Sequence, residues 1–500
     1  MYADNPVPPS ESKDASLKES PTLQKVQSLI TCAIKEVSED SLQSANSVYT
    51  PSDLIHSDPE QELLREEHPI NFYYVRKPAD RYNFTYIIFF LLGVGSSLPW
   101  NFICTAKHYW IYKFRNCTET PLIERHDVTD LSDYFESYFS IASAVPAVPC
   151  LVLNFFLVSR VSANIRVLTS LVVMLLIFIV ITVLVKIDTS TWTNEFFALT
   201  LLCVVIVCGA SNILTASVFG VTGRFPMKNS QALISGQAMG GTISALAAIL
   251  DLAVASNVTD SALSYFLSAV VFTVICIIIY LILPKVEYAR YYLTICDEKT
   301  TGVSDESLSP GVDFPIRKRI SPPIGPILRK VGVLATCLYF VFFITVIIFP
   351  TITASIESVN SKTGSMWTTT FFTPLTCFLL YNFSDFCGRQ ITAWIQSPGP
   401  KSKVLPILVF LRTLFIPLFI FCNYQPRKHI YKVIFKSDVF PIIFISLLGL
   451  SNGYLGTLSM MYGPKIVPKE LSEGTAIIMS FFLALGLATG SAFSSLVQLI

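Results

Sequence analysis

Asp385 and Arg389 stand four residues apart in "YNFSDFCGRQ", residues 381–390, at the end of a run apolar enough to lie inside a lipid bilayer. On a helix that spacing puts both side chains on one face, where they can pair. An isolated charge at mid-membrane is unfavourable by roughly 2.5–3.5 kcal/mol on an insertion scale, so the pair is expected to face the bundle or a water-filled cavity. Asn382 joins the same stripe. The chemistry suits a neutral, hydroxyl-rich ligand, because arginine offers fixed donors and aspartate accepts from hydroxyls. The plainer alternative is a gate or anchor at the helix end, since Arg389 lies close to the boundary of the run.

Other stretches carry weaker signals. "GVGSSLPWN", residues 93–101, breaks an apolar run with glycine and proline and then presents Trp100 and Asn101. Tryptophan can stack on a flat heterocycle and asparagine can read its edge, although an interfacial tryptophan is an equal alternative. "LISGQAMGGTISA", from Leu233, has small residues at Ser235, Gly236, Gly240 and Gly241, with Gly236 and Gly240 at helical spacing, which favours close helix packing; Gln237 beside them is a buried amide in need of a partner. "LSNGYLGTLSMMYGPKIVP", from Leu450, holds Asn452, Gly453 and Gly456, read here as flexible packing near a gate turn. Asp251 and Glu473 are candidate pH sensors at opposite ends of their runs, because burial favours the neutral form of a carboxyl group. A hydrated helix-end charge is the alternative for each.

These residues need a scaffold, and composition supplies one. The chain has 500 residues, of which 52% are apolar and 14% charged, with a net charge of +1, so nothing points to a nucleic-acid partner. Residues 1–79 are polar and rich in Ser, Glu and Pro and read as a disordered tail. After them come apolar runs near the roughly 20 residues that a helix needs to cross hydrocarbon. About eleven spans are expected, near 84–106, 131–158, 165–186, 195–222, 231–255, 262–283, 331–356, 368–390, 403–422, 438–462 and 475–499. The fold class is therefore an all-α polytopic membrane protein.

The basic segment 284–330, with Arg317, Lys318 and Arg319, divides six spans (80–283) from five (331–500), as in a major-facilitator-like transporter with its site between halves. Excess Lys and Arg on that side place the tail in the cytosol and Ile500 on the far side. Of the four Asn-x-Ser/Thr sequons, this topology leaves Asn116 as the glycosylation candidate. Most of the twelve cysteines fall inside apolar runs, where they act as small hydrophobes rather than a disulfide framework.

The segments "DRYNFTYIIFFLLGVGSSLPWNFICTAKHYW", "FPMKNSQALISGQAMGG", "YNFSDFCGRQITAWIQSPGP" and "GLSNGYLGTLSMMYGPKIVP" resemble signatures of the equilibrative nucleoside transporter family. The acidic tail, "ALISG", "ESYFSIAS" and "TAWIQSPGPKSK" most resemble its lysosomal, type-three branch. The resemblance implies facilitated diffusion of nucleosides such as adenosine and uridine, with nucleobases as a further permeant class, in lysosomal and late endosomal membranes and in part at the cell surface. It implies a cavity lined by Trp100, Asn101, Thr215, Asn382, Asp385 and Arg389, with Asp385 and Arg389 reading ribose hydroxyls. Thr215 stands where plasma-membrane members carry a longer glutamine. The resemblance also implies sorting adaptors that read an acidic dileucine signal. Here Leu63 and Leu64 in "SDPEQELLREE" are the candidates, with Asp58 one place further upstream than usual.

No cofactor or metal is called for, and no phosphate-cradling loop supports ATP hydrolysis. Two rivals come from other classes. An intramembrane aspartyl protease would need Asp385 and Asp251 to face each other, and a receptor would more often have seven spans and no two-part division.

Overall fold

Long apolar runs in hydrocarbon must satisfy their own backbone groups, and helix is the solution open to a single segment. The computed structural model describes residues 78–114, 138–139, 141–143, 145–189, 191–254, 257–301, 323–361, 364–425 and 433–497. Among them eleven helices, all apolar except the mixed α8, run in chain order and frame the site. They are α1 (Phe84–Thr105), α2 (Ala147–Leu157), α3 (Ala163–Lys186), α4 (Thr193–Thr222), α5 (Met227–Val254), α6 (Val258–Ile282), α7 (Ile324–Ile348), α8 (Leu380–Ile391), α9 (Val404–Ile420), α10 (Val439–Tyr462) and α11 (Ser472–Val497). Eight of these, with their flanking turns, are long and apolar enough to cross a membrane unaided; α2, α8 and α9 are shorter.

The departures from the expected spans have local causes. The expected span 331–356 is shifted, because α7 starts at Ile324 and stops where Phe349 takes an extended conformation before Pro350. Proline disfavours the helical region for the residue before it. The expected span 368–390 is broken. A short helix at Met366–Thr369 is followed by a widened turn at Pro374–Leu379, and only then by α8. Pro374 has no N–H to give, and a wide turn absorbs the slack. In α9 the turn Arg412–Leu414 tightens just before Pro417, whose missing N–H interrupts the ladder in the same way. At the start of α1, Asp80 accepts from the backbone N–H groups of Thr85 (3.0 Å) and Tyr86 (3.3 Å), satisfying donors that a helix start leaves open.

Three helix pairs pack backbone to backbone through glycine. In α1 and α5, Gly93 faces the Leu233 carbonyl and Gly236 faces the Phe90 carbonyl. In α7 and α11, a Cβ on Gly490 would lie 2.8 Å from the Phe343 carbonyl oxygen. In α8 and α10, a Cβ on Gly449 would lie 2.7 Å from the Tyr381 carbonyl oxygen, and Gly453 abuts the Asp385 carbonyl. Small residues permit this approach where lipid gives no hydrophobic drive for association. Gly240 likewise leaves room for Ser97, and Gln237 receives Ser97 on its carbonyl (2.9 Å) and reaches Ser96 with its amide (3.4 Å).

Helices α1–α6 pack mainly among themselves, as do α7–α11, and α5·α8, α2·α11 and α4·α11 join the two groups. Exchanging each helix for its counterpart six places away converts α1·α5 into α7·α11, and α5·α8 into α2·α11. The interior holds residues such as Phe178, Val207, Phe266 and Leu338, whereas Leu176, Val183, Ile278 and Leu281 point outward. Half-exposed apolar faces on this scale suit a hydrocarbon solvent.

Candidate functional site

Helix α8 presents Asp385 and Arg389 inward. Arg389 Nε donates to Asp385 Oδ2 at 2.9 Å, and Arg389 Nη1 donates to the Ile234 carbonyl of α5 at 2.8 Å. Asp385 is 4% exposed. Its second oxygen, Oδ1, accepts from Asn452 Nδ2 of α10 at 2.6 Å. Each carboxylate oxygen therefore spends one acceptor position on the protein and keeps another for a ligand hydroxyl.

The pair borders a cavity of about 460 Å³ formed by α1, α2, α4, α5, α7, α8, α10 and α11. That volume falls within the roughly 300–1,000 Å³ of small-molecule sites. The lining carries Asn382, Asp385, Arg389, Asn452 and Thr345 from α7, α8 and α10, and Asn101, Asn212, Thr215 and Gln237 from α1, α4 and α5. Leu338, Phe342 and Met460 add apolar surface. Asn101 and Asn212 each turn Nδ2 back to a carbonyl of their own helix, that of Ser97 and Cys208 respectively, at 2.8 Å. Their Oδ1 atoms are then left as acceptors for ring and exocyclic N–H groups. Asn382 also bonds back, to the Phe378 carbonyl (2.9 Å), and its amide oxygen rests on Gly241 of α5.

Of the residues that the resemblance implied for the cavity, Asn101, Thr215, Asn382, Asp385 and Arg389 line it, and Gln237, Asn452 and Gly456, read from the sequence as packing, line it too. Trp100 does not. Its ring is stacked on Phe139, with centroids 5.2 Å apart and planes at 14°, so its face is already covered by the protein. The flat surfaces on the cavity wall are Phe342 and the stacked pair Phe349–Tyr381. Asn116, Leu63 and Leu64 lie outside the described residues.

Glu473 is not an isolated charge. It is ion-paired with Arg166 of α3, and Arg224, at the end of α4, stands 3.6 Å away. Arg166 also donates to Asn154 (2.6 Å) and Ser217 (3.2 Å). On the same face Lys465 donates to the carbonyls of Gly223 (2.9 Å) and Phe225. Gln231 of α5 donates to the Arg389 carbonyl (3.1 Å) and to Gln390 (3.2 Å), and Tyr86 of α1 donates to Gln231 (3.2 Å). The helix ends around the α4–α5 and α10–α11 connections are thus tied together across the two groups. Asp251 sits toward the other end of α5, where Ser261 of α6 donates to it and Tyr265 lies beside it. It lies outside the cavity lining, so Asp385 and Asp251 do not form the facing pair that a protease needs.

The site roles of Asn452, Arg166, Gln231 and Arg412 come from contacts between helices rather than from spacing along the chain. Arg412 carried a visible signal, a lone cation inside the run 403–422.

A family model described as Nucleoside transporter matches residues 201–499. Equilibrative nucleoside transporter 3 of Rattus norvegicus is 49% identical over 468 residues, covering 92% of this chain and 98% of its own. Equilibrative nucleoside transporter 1 of Homo sapiens is 34% identical over 457 residues, covering 85% and 99%. Among solved structures, the major facilitator superfamily proton:xylose symporter XylE, bound to 6-bromo-6-deoxy-D-glucose, superposes with a TM-score of 0.56 at 10% identity, over 83% of this chain and 89% of that one. That likeness gives the fold, a helical major-facilitator architecture.

Proposed function

Because this chain belongs to the equilibrative nucleoside transporter family, we propose that it equilibrates nucleosides across a membrane by alternating access, with helices 80–283 and 331–500 rocking as two halves about the central cavity. The observation that carries this reading is the Asp385–Arg389 pair on the wall of a 460 Å³ cavity whose lining also offers amide acceptors. Ribose hydroxyls donate to Asp385 and accept from Arg389. The base lies toward Asn101, Asn212 and Thr215, with Phe342 against its face. Nucleobases, which lack the sugar, would keep only the second set of contacts and bind more weakly.

Access alternates when the ties between the two helix groups break. The Arg166–Glu473 pair, the Lys465 contacts and the Gln231 contacts close one face of the cavity. With the tail 1–79 in the cytosol and Ile500 in the lumen, that closed face is cytosolic and Asp251 is near the luminal one. In this reading the protein resides in lysosomal and late endosomal membranes, delivered by adaptors that bind Leu63 and Leu64. It carries a glycan at Asn116 and works faster at acidic luminal pH. The resemblance of the tail and the positions of the basic segments support these points.

The test is purified protein in liposomes, supplied with tritiated adenosine and uridine across a pH series. Saturable uptake that stops at equal concentrations, needs no ATP and is competed by unlabelled nucleoside is the expected result. Absence of saturable uptake by folded protein would refute the reading.

A further inference from the structure

Arg412 is a cation in the middle of α9, 2% exposed, and it does not line the cavity. Such a group in a membrane interior marks function by default, provided its partners can be named. Here they can. Nη1 donates to the Val341 carbonyl of α7 at 2.8 Å, Nη2 to Thr345 Oγ1 at 2.7 Å, and Nε to Ser451 Oγ of α10 at 3.2 Å. Thr345 Oγ1 lies 2.8 Å from Asn452 Oδ1, and Asn452 Nδ2 lies 2.6 Å from Asp385 Oδ1.

A threonine hydroxyl has one hydrogen, and Thr345 Oγ1 lies 2.8 Å from both the Val341 carbonyl oxygen and Asn452 Oδ1, with the Tyr381 hydroxyl hydrogen-bonded to it as well. Arg412 Nη1 takes one lone pair of the Val341 carbonyl and Nη2 donates into the Thr345 hydroxyl, which favours sending the hydroxyl proton on to Asn452 Oδ1. An asparagine that accepts on that side must present its NH₂ on the other, which points a donor at Asp385. Linked donors also polarise one another, the more so in a low-dielectric interior.

We infer that Arg412 is a positioning residue for sugar recognition, setting through Thr345 the orientation of the Asn452 amide and hence the acceptor geometry that Asp385 offers to ribose hydroxyls. This deepens the transport reading and rests on it. Without the guanidinium, the Thr345 proton can turn to the Val341 carbonyl and the Asn452 amide can reverse. Asp385 then faces an amide oxygen instead of a donor.

The test separates recognition from folding by comparing a ribonucleoside with its 2′,3′-dideoxy analogue in proteoliposomes. Arg412→Met keeps volume and removes every donor; Thr345→Val keeps the arginine and removes the relay hydroxyl. In both variants KM for the ribonucleoside should rise about tenfold, the order expected for one lost hydrogen bond to a charged group. In Arg412→Met, KM for the dideoxy analogue should stay within about twofold of wild type, as the lost contact serves only hydroxyls; in Thr345→Val, at a residue on the cavity wall, the ratio of the two KM values is the readout. The double variant should be no worse than the single ones. Arg412→Lys, which still offers a donor to Thr345, should recover part of the preference. A purely structural role would lower Vmax or abundance and leave the ratio of the two KM values at its wild-type value. If Arg412→Met does not reach the membrane, Thr345→Val alone decides, and a wild-type ratio there overturns the inference. Wild-type protein without saturable nucleoside uptake would overturn the transport reading and this inference together, whereas wild-type uptake with unchanged ratios in the variants overturns this inference alone.

Discussion

Glu473→Gln should shift the balance between the two access states. The side chain is 13% exposed and pairs with Arg166, itself 3% exposed, with Arg224 at 3.6 Å. Glutamine keeps the volume and an acceptor oxygen but removes the charge from a charge-assisted bond. Hydrogen bonds to charged groups contribute about 1.5–3 kcal/mol, so about 2 kcal/mol of closure on this face should be lost. That changes the ratio of access states by up to roughly 30-fold. Half-saturation measured from the opposite face is divided by the fraction of carriers open there, so it should rise by as much as that factor. Half-saturation from the near face should fall. The assay is zero-trans uptake and efflux in liposomes of known orientation, with membrane abundance measured in parallel. An internal check exists, since a carrier without an energy source must keep Vmax/KM equal in the two directions. Unchanged half-saturation on both faces, at normal abundance, would refute the latch assigned to this pair.

Asp385→Asn or Arg389→Ala should abolish nucleoside uptake while the protein still reaches its membrane, since each leaves a buried partner unmatched at a loss of about 3–5 kcal/mol; full uptake at normal abundance would remove the pair from the site. Transport from the luminal face should be faster at acidic than at neutral pH, and Asp251→Asn, which mimics the protonated form beside Ser261 and Tyr265, should flatten that profile; a retained wild-type profile places the sensor elsewhere. Replacing Leu63 and Leu64 with Ala should move part of the protein to the cell surface, read by co-localisation with a lysosomal marker, and an unchanged distribution excludes them as the signal.

Chemistry was legible in the sequence where it violated its surroundings. Asp385 and Arg389 stand out because charge in an apolar run needs a reason, and the cavity wall holds both. The eleven helices follow from apolar length, but their breaks do not. Pro374 widens one turn and Pro417 tightens another, and which occurs depends on neighbours that a single run does not reveal. Trp100 shows the limit of reasoning from side-chain type. Its ring does stack, but on Phe139, distant in sequence, and not on the cavity. Asn452 and Glu473 acquire their partners only across helices, from Asp385 and from Arg166 and Arg224, and pairings of that kind leave no spacing pattern to read.

The glycine contact between α8 and α10 bears on how selectivity relates to direction. Gly388, Gly449 and Gly453 bring the two backbones into direct contact along the stretch that carries Asp385 and Asn452. Asp385, Arg389 and Asn452 are therefore mounted on one stiff strut. The ties from α8 to α5 are different in kind, being side-chain amides and the Arg389–Ile234 contact, which can exchange partners at little loss. On the transport reading proposed above, the groups assigned to the sugar then travel as a preassembled jaw, while those assigned to the base, on α1 and α4, belong to the other helix group. A permeant meets the same jaw on entry and on exit. Discrimination among sugars should accordingly be identical in both directions of travel, and direction-dependent preferences, where they arise, should concern the base.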